Sequence, residues 1–279
     1  MNRTPDKTRI GIVLGSGGAR GWAHIGVLKR LNELGVKPHC VVGTSIGALV
    51  GAVYSAGNLA SLEVLAETLD WRSIAQFFLE VKLPGSGLVR GDKIMALLKQ
   101  RDMIGVHLMK SLQVPFAAVA TELYTEKAVV LHDGNPVDAV RASIAVPGIF
   151  TPHTIGGRIF VDGGLTNPLA VEAAREMGAD AVIAVDVNLV NGKVVKTPGN
   201  PGMFDVLMRS VRLLENEVTR HILERSAPEL LIQPAVGHYQ LMDFYEGRAG
   251  VQAGYEAAEA AVPELRRLGL IHNETKEQK

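Results

Sequence analysis

Apolar positions along the chain fall into two kinds of run. Short unbroken stretches of aliphatic and β-branched residues occur at 9–15 (RIGIVLG), 40–42 (CVV), 115–121 (PFAAVAT), 128–131 (AVVL), 158–162 (RIFVD), 181–187 (AVIAVDV) and 230–232 (LLI). Runs of this length, closed by Gly, Pro or Asp-Gly, predict strands, and the lack of polar alternation marks strands buried on both faces. Between them, apolar residues recur at three- and four-residue steps. Ile25, Leu28 and Leu31 do so in a helix predicted over 22–34, with Gly35 as its stop. Further helices are predicted over 59–78, 91–99, 137–143, 170–177, 204–223 and 247–268, while His153 falls in a loop after Pro152. The stripe Phe204, Leu207, Val211, Leu214, Val218 and Ile222, with Arg212, Glu215 and Arg220 off it, predicts an amphipathic helix packed on the sheet. Alternating strands and helices favour parallel pairing with right-handed crossovers. The expected fold is therefore α/β: a single three-layer domain over 9–270, a mostly parallel central sheet with helices on both faces, and a charged tail at 271–279.

Composition narrows the function classes. Lys+Arg and Asp+Glu are equal at 29 each, so no basic face for nucleic acid is expected. The one cysteine, Cys40, has no partner for an internal disulfide, which suits a reducing compartment. The apolar piece Ile10 to Leu14 is too short for a signal-peptide core, and no apolar run approaches the ~18–20 residues of a membrane span. A cytoplasmic protein, able to touch a membrane peripherally, is the expectation.

Three motifs then stand out. The first is the glycine turn Gly15-Ser16-Gly17-Gly18-Ala19-Arg20-Gly21 between the first strand and the first helix. A dinucleotide site would need G-x-G-x-x-G here and an acidic residue closing the second strand. Arg20 takes the third glycine's place, and the second strand runs into Gly43-Thr44-Ser45. An oxyanion hole is the stronger reading, since successive glycine amides before a helix can converge on a developing negative charge. A plain packing turn is the bland alternative. The second motif is Gly43-Thr44-Ser45-Ile46-Gly47, a strand, a sharp turn and a small-residue helix, which is how a nucleophile elbow lifts its serine from the backbone. The third is Asp162-Gly163-Gly164 at the end of a predicted strand, where the carboxylate would be exposed at the sheet edge; the alternative is an ordinary Asp-Gly turn. Pro168 is expected to open the helix that follows. A serine hydroxyl needs a base, and none of the eight histidines, His24, His39, His107, His132, His153, His221, His238 and His272, has a spacing that marks it as one. No cluster with metal-ligand spacing occurs.

The stretches GSGGARGWAHIGVLK (15–29), GTSIGALVGA (43–52), RASIAVPGIF (141–150) and VDGGLTNP (161–168) together resemble the patatin-like phospholipases, in the bacterial branch akin to the catalytic domains of neuropathy target esterase. The resemblance covers residues 9–187. It implies a serine-aspartate dyad without histidine and without a cofactor. Ser45 would be the nucleophile and Asp162 the base. Gly17 and Gly18 would supply oxyanion amides, with Arg20 as a basic residue beside them. Gly15, Gly21, Gly43, Gly47, Gly163 and Gly164 would be the motif glycines. Ser16 stands where many members have glycine. The implied substrate is a phospholipid, a lysophospholipid or another acyl ester, cleaved through an acyl-serine. An acyltransferase using the same dyad and a non-catalytic regulatory module are the rival readings. The region from Met203 onward carries no motif of that family. The apolar group Ile74, Phe77, Phe78, Leu79, Val81 and Leu83 reads either as a core helix end or as an acyl-chain lid or membrane patch.

Overall fold

The computed structural model describes residues 8–70, 72, 89–106, 108–188 and 200–271. The apolar group at 74–83 lies outside them, as do most of the loop expected at 191–202 and nearly all of the tail. One sheet of 8 strands organises the fold. Its strands are β1 (Ile10–Leu14), β2 (Cys40–Thr44), β3 (Phe116–Glu122), β4 (Lys127–Leu131), β5 (His153–Ile155), β6 (Arg158–Asp162), β7 (Ala181–Val185) and β8 (Leu230–Ile232). β1 sits between β2 and β7, and the run β3-β2-β1-β7-β8 is parallel throughout. Its strands are the unbroken apolar runs, and β1, β2, β3 and β7 are buried along their whole length.

Helices cover both faces. On one side α1 (Trp22–Glu33) and α2 (Ile46–Ser55) share a core with Ile12, Leu14, Val41 and Ile183, and α3 (Leu59–Thr68) and α8 (Gly247–Ala260) pack against α1. On the other, α6 (Val171–Glu176) and the end of α7 (Met203–Arg225) pack on Val13, Val42 and Val182. Two short helices, α4 (Asp92–Leu98) and α5 (Pro136–Ser143), and the terminal α9 (Val262–Arg267) complete the described helices.

The structure departs from the sequence expectation in five places. The helix expected over 59–78 stops at Thr68, where Leu69 turns to an extended conformation. His153 begins β5, which pairs antiparallel with β6, instead of lying in a loop. Pro168 does not start a helix: Gly163–Leu165 form one 3-10 turn and α6 begins only at Val171. The helix expected over 247–268 is two helices, broken at Ala261 because Pro263 cannot donate a backbone hydrogen bond. The stripe on α7 is buried only in part. Ile222 and Leu223 reach the core, yet Phe204, Leu207 and Leu214 are exposed, and Met208 and Thr219 are the buried positions. The first turns of α7 lie beside the sheet's end and not over its face.

One feature of the sheet brings distant sequence together. β4 occupies one edge of β3 across residues 118–122. The other edge is shared end to end. β2 pairs with β3 up to Thr44↔Val119, and β6, running the opposite way, pairs with it from Phe160↔Glu122 to Asp162↔Ala120. Two strands thus end against neighbouring residues of a third, one carrying Thr44 and the other Asp162.

Candidate active site

Ser45 follows β2 and precedes α2, with φ 56 and ψ −123. A left-handed φ is costly for a residue with a Cβ and persists only where the surroundings enforce it. Here they do. A Cβ on Gly47 would come within 2.2 Å of Leu14 O, so only glycine lets α2 start against β1. The Ser45 N–H donates to Ser143 Oγ at 2.8 Å, and Ser143 Oγ donates to Val119 O at 2.5 Å, which ties the turn to β3. Ser143 closes α5 and lies in the stretch RASIAVPGIF, which the sequence reading gave no role of its own.

Asp162 ends β6 opposite this turn. Ser45 Oγ donates to Asp162 Oδ2 at 2.6 Å. The other carboxylate oxygen, Oδ1, accepts from Gly164 N at 2.8 Å, and Thr121 Oγ1 donates to the Asp162 carbonyl at 2.8 Å. Both residues of the pair are buried, so the Asp162 carboxylate is not exposed at the sheet edge as the sequence predicts; Gly164 and Glu215 on α7 close over it. Burial, with the Glu215 carboxylate adding to it, pushes the Asp162 carboxyl up to about 7; the hydrogen bonds from Ser45 and Gly164 oppose that rise. An aspartate so tuned takes and gives a proton near neutrality, which an ordinary surface carboxylate does not.

The glycine turn lies beside the pair. Its flanks are tied down: Gly15 N donates to Val185 O, Ser16 N to Pro168 O and Ala19 N to Leu241 O, each at 2.9 Å. Among the described residues, neither the Gly17 nor the Gly18 N–H donates to a protein acceptor. Both glycines line the same cavity as Ser45 and Asp162. Gly18 has φ +58, and a Cβ there would meet Leu241 O at 2.6 Å. His24 supports the turn from below: its Nε2 donates to Gly15 O at 2.9 Å, and burial pushes the imidazole down to about 4. It is a neutral packing histidine, not a base.

Behind the turn is a buried polar network. Arg20 donates through Nη2 to Asn188 Oδ1 (2.7 Å) and through Nη1 to Tyr239 O (3.2 Å). Burial and Arg212 bring Arg20 down to about 9, against Glu215, Asp186 and Asp243, which favour its charge. Asn188 Nδ2 donates to both Ser16 Oγ (2.9 Å) and Glu215 Oε2 (2.8 Å), and its own N–H donates to Asp186 Oδ1 at 2.9 Å. Asp186 is thus a turn-holding residue after β7. Asn188 lacks any motif, and the sequence pattern marks Glu215 only as a polar residue off the apolar stripe of α7.

The Ser45–Asp162 pair opens onto a cavity of about 240 Å³ whose wall is mostly apolar, including Ile46, Leu49, Ile144, Phe150, Met208 and Phe244. A concave, largely apolar pocket with a few convergent polar groups at one end is what a ligand with a hydrocarbon part requires. Among the described residues no group of three or more His, Cys, Asp or Glu is placed to hold a metal ion.

The sequence model of the patatin-like phospholipases matches residues 12–175, which contain the glycine turn, Ser45 and Asp162. The chain belongs to the patatin-like phospholipase family. This patatin-like chain is 40% identical over 186 residues to an NTE family protein of Mycobacterium bovis, covering 67% of the chain and 51% of that relative. It is 34% identical over 197 residues to mouse patatin-like phospholipase domain-containing protein 6, covering 68% of the chain and 14% of the relative. The chain therefore spans about half the length of the first and a small part of the second. Among solved structures it resembles VipD from Legionella pneumophila, with a TM-score of 0.50 and 14% identity over 92% of the chain and 67% of that structure. That likeness concerns the fold alone. Asn188, Glu215 and Leu241, which shape the patatin-like site from behind, all lie outside the matched residues.

Proposed function

We propose that the chain hydrolyses carboxylic acyl esters of lipids with Ser45 as nucleophile and Asp162 as its base. The observation that carries this reading is the 2.6 Å hydrogen bond from Ser45 Oγ to Asp162 Oδ2 at the wall of an apolar cavity. As Oγ attacks the acyl carbon, its proton passes to Asp162. The carbonyl oxygen, now negative, is held by the Gly17 and Gly18 N–H groups, with the positive charge of Arg20 behind them. Collapse of the tetrahedral species breaks the ester C–O bond, and Asp162 returns the proton to the departing alcohol. Water then attacks the acyl-serine, giving its proton to Asp162, and the fatty acid leaves as Ser45 recovers its hydrogen. None of these steps calls on a cofactor. The apolar cavity suits an acyl chain, as a phospholipid or lysophospholipid would present.

Support for contact with a lipid surface comes from α7, where Met203, Leu213 and Leu214 are 90%, 66% and 60% exposed on a helix whose Phe204 and Met208 line the cavity. Among the described residues no helix is long and apolar enough to cross a membrane, so the contact proposed is peripheral. The test is hydrolysis of a short-chain ester and a lysophospholipid panel by the wild type, Ser45→Ala and Asp162→Asn. Both variants are expected to lose at least about 100-fold in turnover. Retained activity in either removes that residue from the mechanism.

A further inference from the structure

The second carboxylate of the site belongs to a residue that the dyad mechanism leaves idle. Glu215 lies midway along α7, outside the segment that defines the family. The residue is only half-buried, but its carboxylate is turned inward onto three groups. Asn188 Nδ2 donates to Oε2 at 2.8 Å. The second group is Ser16, whose hydroxyl accepts from the same Asn188 Nδ2 at 2.9 Å and stands beside the carboxylate, favouring its charge. The third group is the backbone at Gly164. A Cβ there would lie 2.1 Å from Glu215 Oε1 and 3.0 Å from Asp162 Oδ1, so the two carboxylate oxygens are themselves no more than about 5 Å apart. Only the bare glycine separates them. Glu215 therefore touches the glycine turn through Ser16 and faces the dyad across Gly164.

We propose that Glu215 is a positioning residue for the dyad, its negative charge set against Asp162 across Gly164 while Asn188, which donates to both Glu215 and Ser16, holds the glycine turn in register with Ser45. This rests on the dyad reading given above. Like charges at such a separation in a water-poor site disfavour ionisation of both carboxyls. Glu215 accordingly adds to the burial that raises Asp162, and Glu215 itself is raised by burial. Arg20 and Arg212, with the Asn188 hydrogen bond and the nearby Ser16 hydroxyl, oppose the latter rise. Around them stand Asp186 and Asp243, facing Arg20, and Arg209, facing Arg212. Among the described residues, Glu215 is the charged neighbour that acts on Asp162. The arrangement gives the base a higher proton affinity than burial alone and links that affinity to the position of the oxyanion amides. Ser16 thereby acquires a use: a glycine in its place would break the Asn188 bridge between the glycine turn and Glu215.

The test is the pH dependence of covalent labelling by a fluorophosphonate probe, which reads the activation of Ser45 without a lipid substrate. Glu215→Gln keeps the shape and the amide partners but removes the charge. The acid limb of the labelling rate is expected to move to lower pH by on the order of one unit, making labelling well below the wild-type limb about tenfold faster. Glu215→Asp withdraws the carboxylate by one methylene and is expected to move the limb the same way by less, so it tests the charge even if Gln at this position impairs folding. Melting temperatures establish which variants are folded. A limb that stays at the wild-type pH in the folded variants overturns the proposal. Wild-type protein that shows no labelling dependent on Ser45 overturns the dyad reading and this one with it, a failure distinct from an unmoved limb.

Discussion

The buried, proton-holding state of Asp162 should be visible in the stability of the whole domain. Asp162→Asn removes the ionisable group while keeping its size, its acceptor for Gly164 N and its contact with Ser45 Oγ. The sign follows from the two ionisation equilibria. Below pH 3.8 the carboxyl is protonated in both the unfolded and the folded chain, and it makes no pH-dependent contribution. Between 3.8 and about 7 it ionises when unfolded but holds its proton when folded, so the folded state binds more protons and loses stability as the pH rises. Above about 7 the penalty is fully present. At 1.36 kcal/mol per unit, it amounts to roughly 1.5 kcal/mol at pH 5 and about 4 kcal/mol at pH 8. Urea denaturation of wild type and Asp162→Asn at those two pH values measures it. The variant should gain about 2.5 kcal/mol on the wild type between pH 5 and pH 8, while losing the ester hydrolysis proposed for the Ser45–Asp162 pair. A stability difference between the two proteins that is the same at both pH values, within about 1 kcal/mol, would refute the reasoning.

Two further outcomes are expected. Ser143→Ala leaves the buried Ser45 N–H without its partner, which should cost about 1–3 kcal/mol of stability and slow the labelling of Ser45; unchanged labelling would mean that the strained turn holds without α5. Leu213→Ser with Leu214→Ser should reduce hydrolysis on anionic vesicles several-fold while leaving a soluble ester unaffected, since neither side chain lines the cavity. Equal loss on both substrates would remove the outward face of α7 from the lipid contact.

Much of this site was legible because its front is built from local signals. A glycine run between strand and helix, a serine at an elbow and an aspartate before two glycines each report a backbone constraint that no other residue meets as cheaply. The strands were legible for a related reason: burial on both faces forbids polar residues. β5 was not, because three residues ending in a glycine turn carry too little pattern to distinguish a strand from a loop. The stripe on α7 misled in a different way. Periodicity reports that one face of a helix is apolar but not what covers it, and here part of that face is exposed beside the cavity. The rear of the site was silent for lack of spacing. Asn188 lies 172 residues from Ser16 and 27 from Glu215, and only the folded sheet makes them neighbours. Ser16 looks like a harmless departure from glycine until Asn188 is found donating to both its hydroxyl and Glu215.

The shared edge of β3 bears on how freely such a chain can be enlarged. Ser45 and Asp162 are 117 positions apart, yet each takes its address from one of two adjacent residues, Val119 and Ala120. The intervening connections need only return the chain to that edge; their length does not enter the geometry. The turns at Gly134 and at Gly156-Gly157 have open space where a side chain would project, so whole modules could be spliced there at small cost. Architecture of this kind is portable: the chemistry travels with a short stretch of hydrogen-bonded ladder, and a matching segment can make up only 14% of a much longer protein such as the mouse relative.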